Sequence, residues 1–252
     1  MRALVTTAPS GDPAEAERLA ARCGLLAQPR RERSLEQLAA ESAGAPVLVL
    51  ASRRADLHLG GRSYRASPGL SLLRVARARL GEPDPLVRAA GLREGDRVLD
   101  ATLGLGGDAL VAAQATGADV VGLEASPVLA AFTLAALRRL PPRDAALGRL
   151  IEVRVARHGD ALLELPARSF DVVLFDPMFR RAGEAAPLFD LVRTLAEHAP
   201  LRAHDLLEAR RVARRGVLVK DAWPGAELAR LRLTPLPARR LPRIVFGWAP
   251  AL

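Results

Sequence analysis

From Gly95 onward, short apolar runs alternate with longer segments whose apolar residues recur every three or four positions. Arg97–Ala101 (RVLDA), Asp119–Glu124 (DVVGLE), Leu150–Val155 (LIEVRV), Asp171–Phe175 (DVVLF) and Gly216–Lys220 (GVLVK) read as strands, apolar enough to be covered on both faces. The segments between them, Asp108–Ala115, Pro127–Leu140, Ala161–Leu165, Ala186–Glu197 and His204–Ala213, read as helices. Two more strands are predicted near Arg230–Leu233 and Arg243–Trp248. The alternation predicts an α/β fold of Rossmann-like type: a mostly parallel, seven-stranded sheet with helices on both faces.

Ahead of this pattern, Ala3–Thr6 and Pro46–Ala51 read as strands and Pro13–Arg22 as a helix, so residues 1–67 form a small N-terminal α/β subdomain. The turn signal Ser67-Pro68-Gly69 separates it from a main domain over 68–252, which begins with helices at Leu70–Leu80 and Asp84–Ala90.

Composition narrows the classes. Half of the 252 residues are hydrophobic, enough for a full core, but no apolar run reaches membrane-spanning length. The N-terminus lacks the apolar stretch of a secretory signal. The single cysteine, Cys23, excludes a disulfide framework and a cysteine-based zinc site, and is expected to be a small buried hydrophobe. These features predict a cytoplasmic protein. The four histidines have no ligand-like spacing, so no metal is expected. The net charge of +9 suits a polyanionic partner, yet Lys220 is the only lysine and asparagine is absent. An arginine-rich composition of that kind also arises without nucleic acid.

In a doubly wound sheet, ligands bind beyond the carboxyl ends of the strands. After the first main-domain strand the chain reads Asp100-Ala101-Thr102-Leu103-Gly104-Leu105-Gly106-Gly107-Asp108-Ala109. Gly104 and Gly106 permit close approach of backbone to a ligand at a helix entrance. Glu124 ends the second strand, where a carboxylate can take ribose hydroxyls, and Asp160 follows the third, where one can accept from an adenine amine. The loop also fits a dinucleotide fingerprint, G-x-G-x-x-A, which leaves a nicotinamide-dependent oxidoreductase as an alternative. Asp100 favours a ligand carrying a cation there, as the methionine part of S-adenosylmethionine does, over a pyrophosphate.

The fourth strand runs into Asp176-Pro177-Met178-Phe179-Arg180-Arg181. Asp176 and the carbonyl of Pro177 are suited to accept the two N–H groups of an exocyclic base amine, and Phe179 to stack on the base. Arg180 and Arg181 suit flanking phosphates, and Arg62, Arg65, Arg74, Arg77 and Arg88 make a candidate RNA-facing patch.

Asp-Pro-Met-Phe resembles the Asp/Asn-Pro-Pro-Tyr/Phe motif of amino-directed methyltransferases. Much of the chain resembles the small-subunit ribosomal RNA guanine-N2 methyltransferase J family. The likeness lies in Leu59-Gly60-Gly61, VLDATLGLGGDAL (98–110), Glu124 with Ser126-Pro127-Val128, the 175–179 segment, Leu206-Leu207-Glu208 and Val217–Lys220. The resemblance implies a class I methyltransferase fold, S-adenosylmethionine as cofactor and ribosomal RNA or the small ribosomal subunit as partner. It implies cofactor contacts at Gly107, Asp108, Glu124, Ala125, Asp160, Ala161 and Asp176. A methyltransferase acting on a small molecule or a protein remains the alternative substrate class.

Overall fold

A computed structural model describes residues 3–177, 187–237 and 243–252. The first sheet has five strands: β1 (Leu4–Thr7), β2 (Leu26–Ala27), β3 (Val47–Leu50), β4 (Ala55–Leu59) and β5 (Arg62–Arg65), in the order β2-β1-β3-β4-β5. Two helices accompany it, α1 (Pro13–Cys23) and α2 (Leu35–Glu41). Asp12 caps α1 through the Ala14 N–H with Pro13 at its first position, and Ser34 with Gln37 forms a capping box on α2. Cys23 is buried at the end of α1, and burial pushes its thiol up to about 11.

Helices α3 (Ser71–Arg79) and α4 (Pro85–Ala90) lead into the second sheet. Its elements in chain order are β6 (Val98–Asp100), α5 (Gly107–Thr116), β7 (Val120–Glu124), α6 (Pro127–Leu137), α7 (Ala145–Arg149), β8 (Ile151–Val155), α8 (His158–Glu164), β9 (Phe170–Phe175), α9 (Pro187–Leu195), α10 (Ala203–Val212), β10 (Ala213–Ala222), α11 (Ala226–Arg230) and β11 (Ile244–Pro250). The strand order is β11-β10-β9-β6-β7-β8, parallel throughout except that β11 runs against β10. The α/β class and the largely parallel sheet are those expected. The sheet has six strands among the described residues, not seven.

The expected strand at Arg230–Leu233 is the difference. The Asp221 carboxylate accepts from the Glu227 and Leu228 N–H groups and so starts a helix there. Arg232 then turns with φ of 59°. Pro235 and Pro237 follow, and prolines cannot donate to a ladder. Among the described residues of this stretch, an isolated bridge from Pro235 to Gly247 is the only pairing with β11.

Successive strand residues point to opposite sides, as a pleat requires. Val98, Val120, Val172 and Leu218 pack into one core with α5 and α6, while Leu99, Val121, Val173 and Val219 pack into another with α8, α10 and α11. Helix α6 is apolar all round because it has two partners: the second sheet beneath it and α1 with β4 above it. Phe132, at its centre, is fully buried. Arg139, just past α6, donates to Glu15 of α1 at 3.0 and 2.8 Å and to the Ala51 carbonyl at 2.8 Å, tying the first sheet to the second. No helix among the described residues is long and apolar enough to cross a membrane.

Candidate active site

The strand order reverses between β6 and β9, so a crevice opens beyond their carboxyl ends. The loop after β6 and the loop after β9 meet there: the Asp176 N–H donates to Thr102 Oγ1 at 2.6 Å. A cleft lies alongside, lined by Thr102, Gly104, Glu124, Ala125, Asp176 and Pro177 among others. Four predicted cofactor residues and two predicted reacting residues, Asp176 belonging to both sets, are therefore brought together.

Glu124 is held by peptide groups. One carboxylate oxygen accepts from the Ser126 N–H at 2.9 Å and the other from the Gly104 N–H at 3.0 Å. It is 6% exposed, and burial pushes its carboxyl up to about 7 in spite of those two donors. Asp100 lies beneath the loop, 2% exposed, with Oδ1 accepting from the Thr102 N–H at 3.1 Å. Burial, reinforced by Asp108, pushes its carboxyl up to about 8.

The remaining glycines of the loop serve packing. Gly106 begins α5 with φ of 73°, and a Cβ there would come within 3.1 Å of Thr133 Cγ2. A Cβ on Gly107 would fall 2.4 Å from Ser71 Oγ, so any larger residue there would make the Ser71 hydroxyl of α3 turn aside. Neither glycine lines the cleft, and neither does Asp108. Asp108 instead takes Arg74 on Oδ1 at 2.5 Å and Lys220 on Oδ2 at 3.0 Å. Burial opposes its ionisation, but Lys220 and Arg74 outweigh it and hold the carboxyl below its ordinary value.

Lys220 also reaches Asp176 Oδ2, at 2.5 Å. Burial works against the ammonium charge, yet Asp176 and Asp108 hold it above its usual range. For Asp176, burial pushes the carboxyl above its ordinary value against the pull of Lys220. A third of the Asp176 side chain remains open to the cleft.

Asp160 is exposed on the first turn of α8. With Arg157, Gly159 and Arg202 it lines a second hollow, which shares His158 and Glu197 with the cleft. Ala161 is half-buried and packs against the core beneath α8. Phe179 and Arg180 lie outside the described residues. Of the candidate RNA-facing cations, Arg74 is engaged by Asp84 and Asp108, and Arg65 by Asp56. Arg62 and Arg88 are exposed, with no ion pair among the described residues.

Three cleft residues escaped the sequence reading. Thr102 is the brace between the two loops, and its neighbours in Asp-Ala-Thr were the available signal. His158 meets the Phe175 ring edge-on at 5.5 Å and stands 3.6 Å from Asp205. Burial lowers its pKa, so the imidazole is neutral at neutral pH. Glu197 arrives from beyond α9 and pairs with Arg157.

The donor set tests which cofactor fits. Among the described residues the cleft is lined by the carboxylates of Glu124, Asp176 and Glu197 and by no arginine or lysine. In a chain of net charge +9, this is a local acidic site. It suits a ligand bearing a sulfonium and an ammonium, and it would repel a pyrophosphate.

Comparison with known proteins agrees. A family model described as putative SAM-dependent methyltransferase matches residues 72–231. An uncharacterized protein of Bacillus subtilis, YpiP, is 36% identical over 201 residues, 77% of each chain. Ribosomal RNA small subunit methyltransferase J of Nitrosococcus oceani is 35% identical over 208 residues, covering 73% of this chain and 76% of its own. Its namesake in Halorhodospira halophila is 37% identical over 203 residues, 74% of each. Among solved structures, a SAM-dependent methyltransferase from Neisseria gonorrhoeae superposes with a TM-score of 0.66 at 20% identity, over 97% of this chain and 94% of that one, which supports the fold.

Proposed function

As the chain belongs to the S-adenosylmethionine-dependent methyltransferases, and among them to the ribosomal RNA small subunit methyltransferase J family, its cofactor is S-adenosylmethionine, and we propose that its acceptor is the exocyclic N2 amine of a guanine in small-subunit ribosomal RNA. The observation that carries the proposal is the end of β9: Asp176 and Pro177 line an acidic cleft next to the loop that follows β6.

When bound, S-adenosylmethionine supplies an electrophilic methyl group on sulfur. Glu124 would accept from the ribose hydroxyls, Asp160 and Ala161 would meet the adenine, and Asp100 would balance the ammonium from beneath the loop. Gly104 and Ala125 would shape the wall, with Gly106, Gly107 and Asp108 bracing it from behind.

At the acceptor end, an aromatic amine is a poor nucleophile because its lone pair is delocalised into the ring. Asp176 and the Pro177 carbonyl would each hold one N–H, directing the lone pair into the cleft. As the nitrogen becomes positive, the adjacent carboxylate stabilises the charge and is placed to receive the proton. Phe179 would stack on the base, a contact worth about 1–3 kcal/mol. Because a paired guanine hides this amine, the base must be unstacked to enter.

The test is mass spectrometry of ribosomal RNA from cells lacking the gene. One guanine should lose a single methyl group, and the purified chain should restore it in vitro. An unchanged modification pattern, with transfer seen only to metabolites or proteins, would refute the RNA assignment.

A further inference from the structure

The chain contains thirty-seven Lys and Arg residues, and its sole lysine sits in the site. Lys220 projects from β10, whose Val219 is paired with Phe175 next to Asp176. Its ammonium is shared between Asp176 Oδ2 at 2.5 Å and Asp108 Oδ2 at 3.0 Å. Asp108 is fixed in turn by Arg74 at 2.5 Å, and Arg74 grips Asp84 through two bonds of 2.8 and 2.9 Å. Asp84 itself caps α4 through the Leu86 N–H. A continuous ion-pair chain thus runs from the N-terminus of α4 through α3 and α5 to the end of β9.

This arrangement has two consequences for Asp176. First, Oδ2 is committed to Lys220, while Oδ1 takes no hydrogen bond among the described residues. Second, Asp176 stands in the field of Asp108 from α5 and itself acts on a third acid, Asp100 from β6. The cations that answer them are Lys220 from β10 and, more distantly, Arg74 from α3. Three carboxyl groups this close cannot all ionise without a cation among them. Lys220 touches two of them. A single compact ammonium with three donors can bridge two carboxylates from one point, which a planar guanidinium does less readily.

We infer that Lys220 is a positioning residue for the amine acceptor: it locks Oδ2 of Asp176, keeps that carboxylate ionised beside Asp100 and Asp108, and leaves Oδ1 for the incoming N–H. The inference rests on the reading of Asp176 as that acceptor. A protonated Asp176 would present a donor where an acceptor is needed, so turnover should fall as pH drops through its pKa. Removing the ammonium raises that pKa.

The experiment is the pH profile of kcat for methyl transfer to unmethylated small-subunit ribosomal RNA and to assembled subunits lacking the modification. Lys220→Met should move the acid limb up by about 1–3 units, the range an opposite charge in contact controls. At a fixed pH on the acid limb that shift is a loss of about tenfold or more, and the rate recovers toward the native one at high pH. Lys220→Arg, which keeps the charge, should leave the limb in place, and cofactor affinity should hold in both variants. Lys220→Gln gives the same readout if the methionine variant fails to fold.

A neutral variant whose limb stays at the native position overturns the inference, whatever its rate. Asp176→Ala, which removes the acceptor, separates the two failures. If it turns over normally, or if the native chain methylates neither substrate, the acceptor reading has failed and Lys220 goes with it. If it is inactive while the Lys220 limb does not move, the Lys220 role alone is wrong.

Discussion

Glu124 and Asp176 each close a central strand or stand one residue beyond it, and both line the same cleft, yet they are held in unlike ways. Peptide N–H groups of Gly104 and Ser126 grip Glu124, with no cation in contact among the described residues. An ammonium grips Asp176, backed by a chain of ion pairs. The first arrangement leaves a carboxyl whose charge is easily given up, suited to neutral hydroxyl partners. The second sets an ammonium against burial at a carboxyl in more crowded company, suited to a group that becomes positive during reaction. The difference teaches that the two ends of one cleft can be tuned separately: one by hydrogen bonds to backbone, the other by counter-charge.

The contrast is broken most directly at Asp176. Asp176→Ala should lower kcat by about 10²–10³-fold, the usual cost of removing a group that stabilises transition-state charge, with little change in cofactor affinity. Single-turnover transfer measured alongside cofactor titration would show the split. A loss confined to cofactor affinity would mean that the two ends are not distinct.

Glu124→Gln should do the reverse. Losing charge-assisted bonds worth about 1.5–3 kcal/mol weakens cofactor binding about 10–100-fold, with kcat at saturation nearly kept. Calorimetric titration reads this directly.

Acidity sharpens the comparison further. Glu124 near 7 and Asp100 near 8 both lie above their unfolded values, so the folded cofactor-free protein carries extra protons at neutral pH. For such groups the stabilisation is fully present at low pH and is lost as pH rises through the folded values. The melting temperature of the cofactor-free protein should therefore decline from about pH 4, near the unfolded values, to about pH 8, where the folded groups have titrated. Binding a cationic ligand favours the ionised forms, so affinity should climb over the same interval, with protons released to buffer. Calorimetry in buffers of different ionisation enthalpy would reveal the release, and its absence would remove these two groups from the cofactor end.

The smallest expected effect is the coupling between the ends. Among the described residues, Glu124 and Asp176 share no hydrogen-bond partner. A double-mutant cycle on kcat/KM should give an interaction below about 0.5 kcal/mol.

Much of this was legible in the sequence because it depends on short stretches. The second sheet could be read from VLD, VVGLE and FDVVLF, since a strand buried on both faces must be apolar throughout. Strands β4 and β5, ADLHL and RSYR, were not, because one face is solvated and the charges mask the pattern. The carboxylates at strand ends were visible from topology alone. Invisible were the partnerships across long separations: Arg74 with Asp108, Asp108 with Lys220, and Thr102 with Asp176 lie 34, 112 and 74 residues apart. Composition even pointed Arg74 the wrong way, toward RNA, when the fold spends it on two aspartates.

The double-sided burial of α6 has a practical consequence. Its outward flank is covered by α1 and β4, and Arg139 anchors that cover to the Ala51 carbonyl. A truncated chain beginning after residue 67 would present Leu129–Leu137 to water as a sticky apolar ridge. Expression trials with such fragments should yield inclusion bodies, whereas full-length protein stays dispersed.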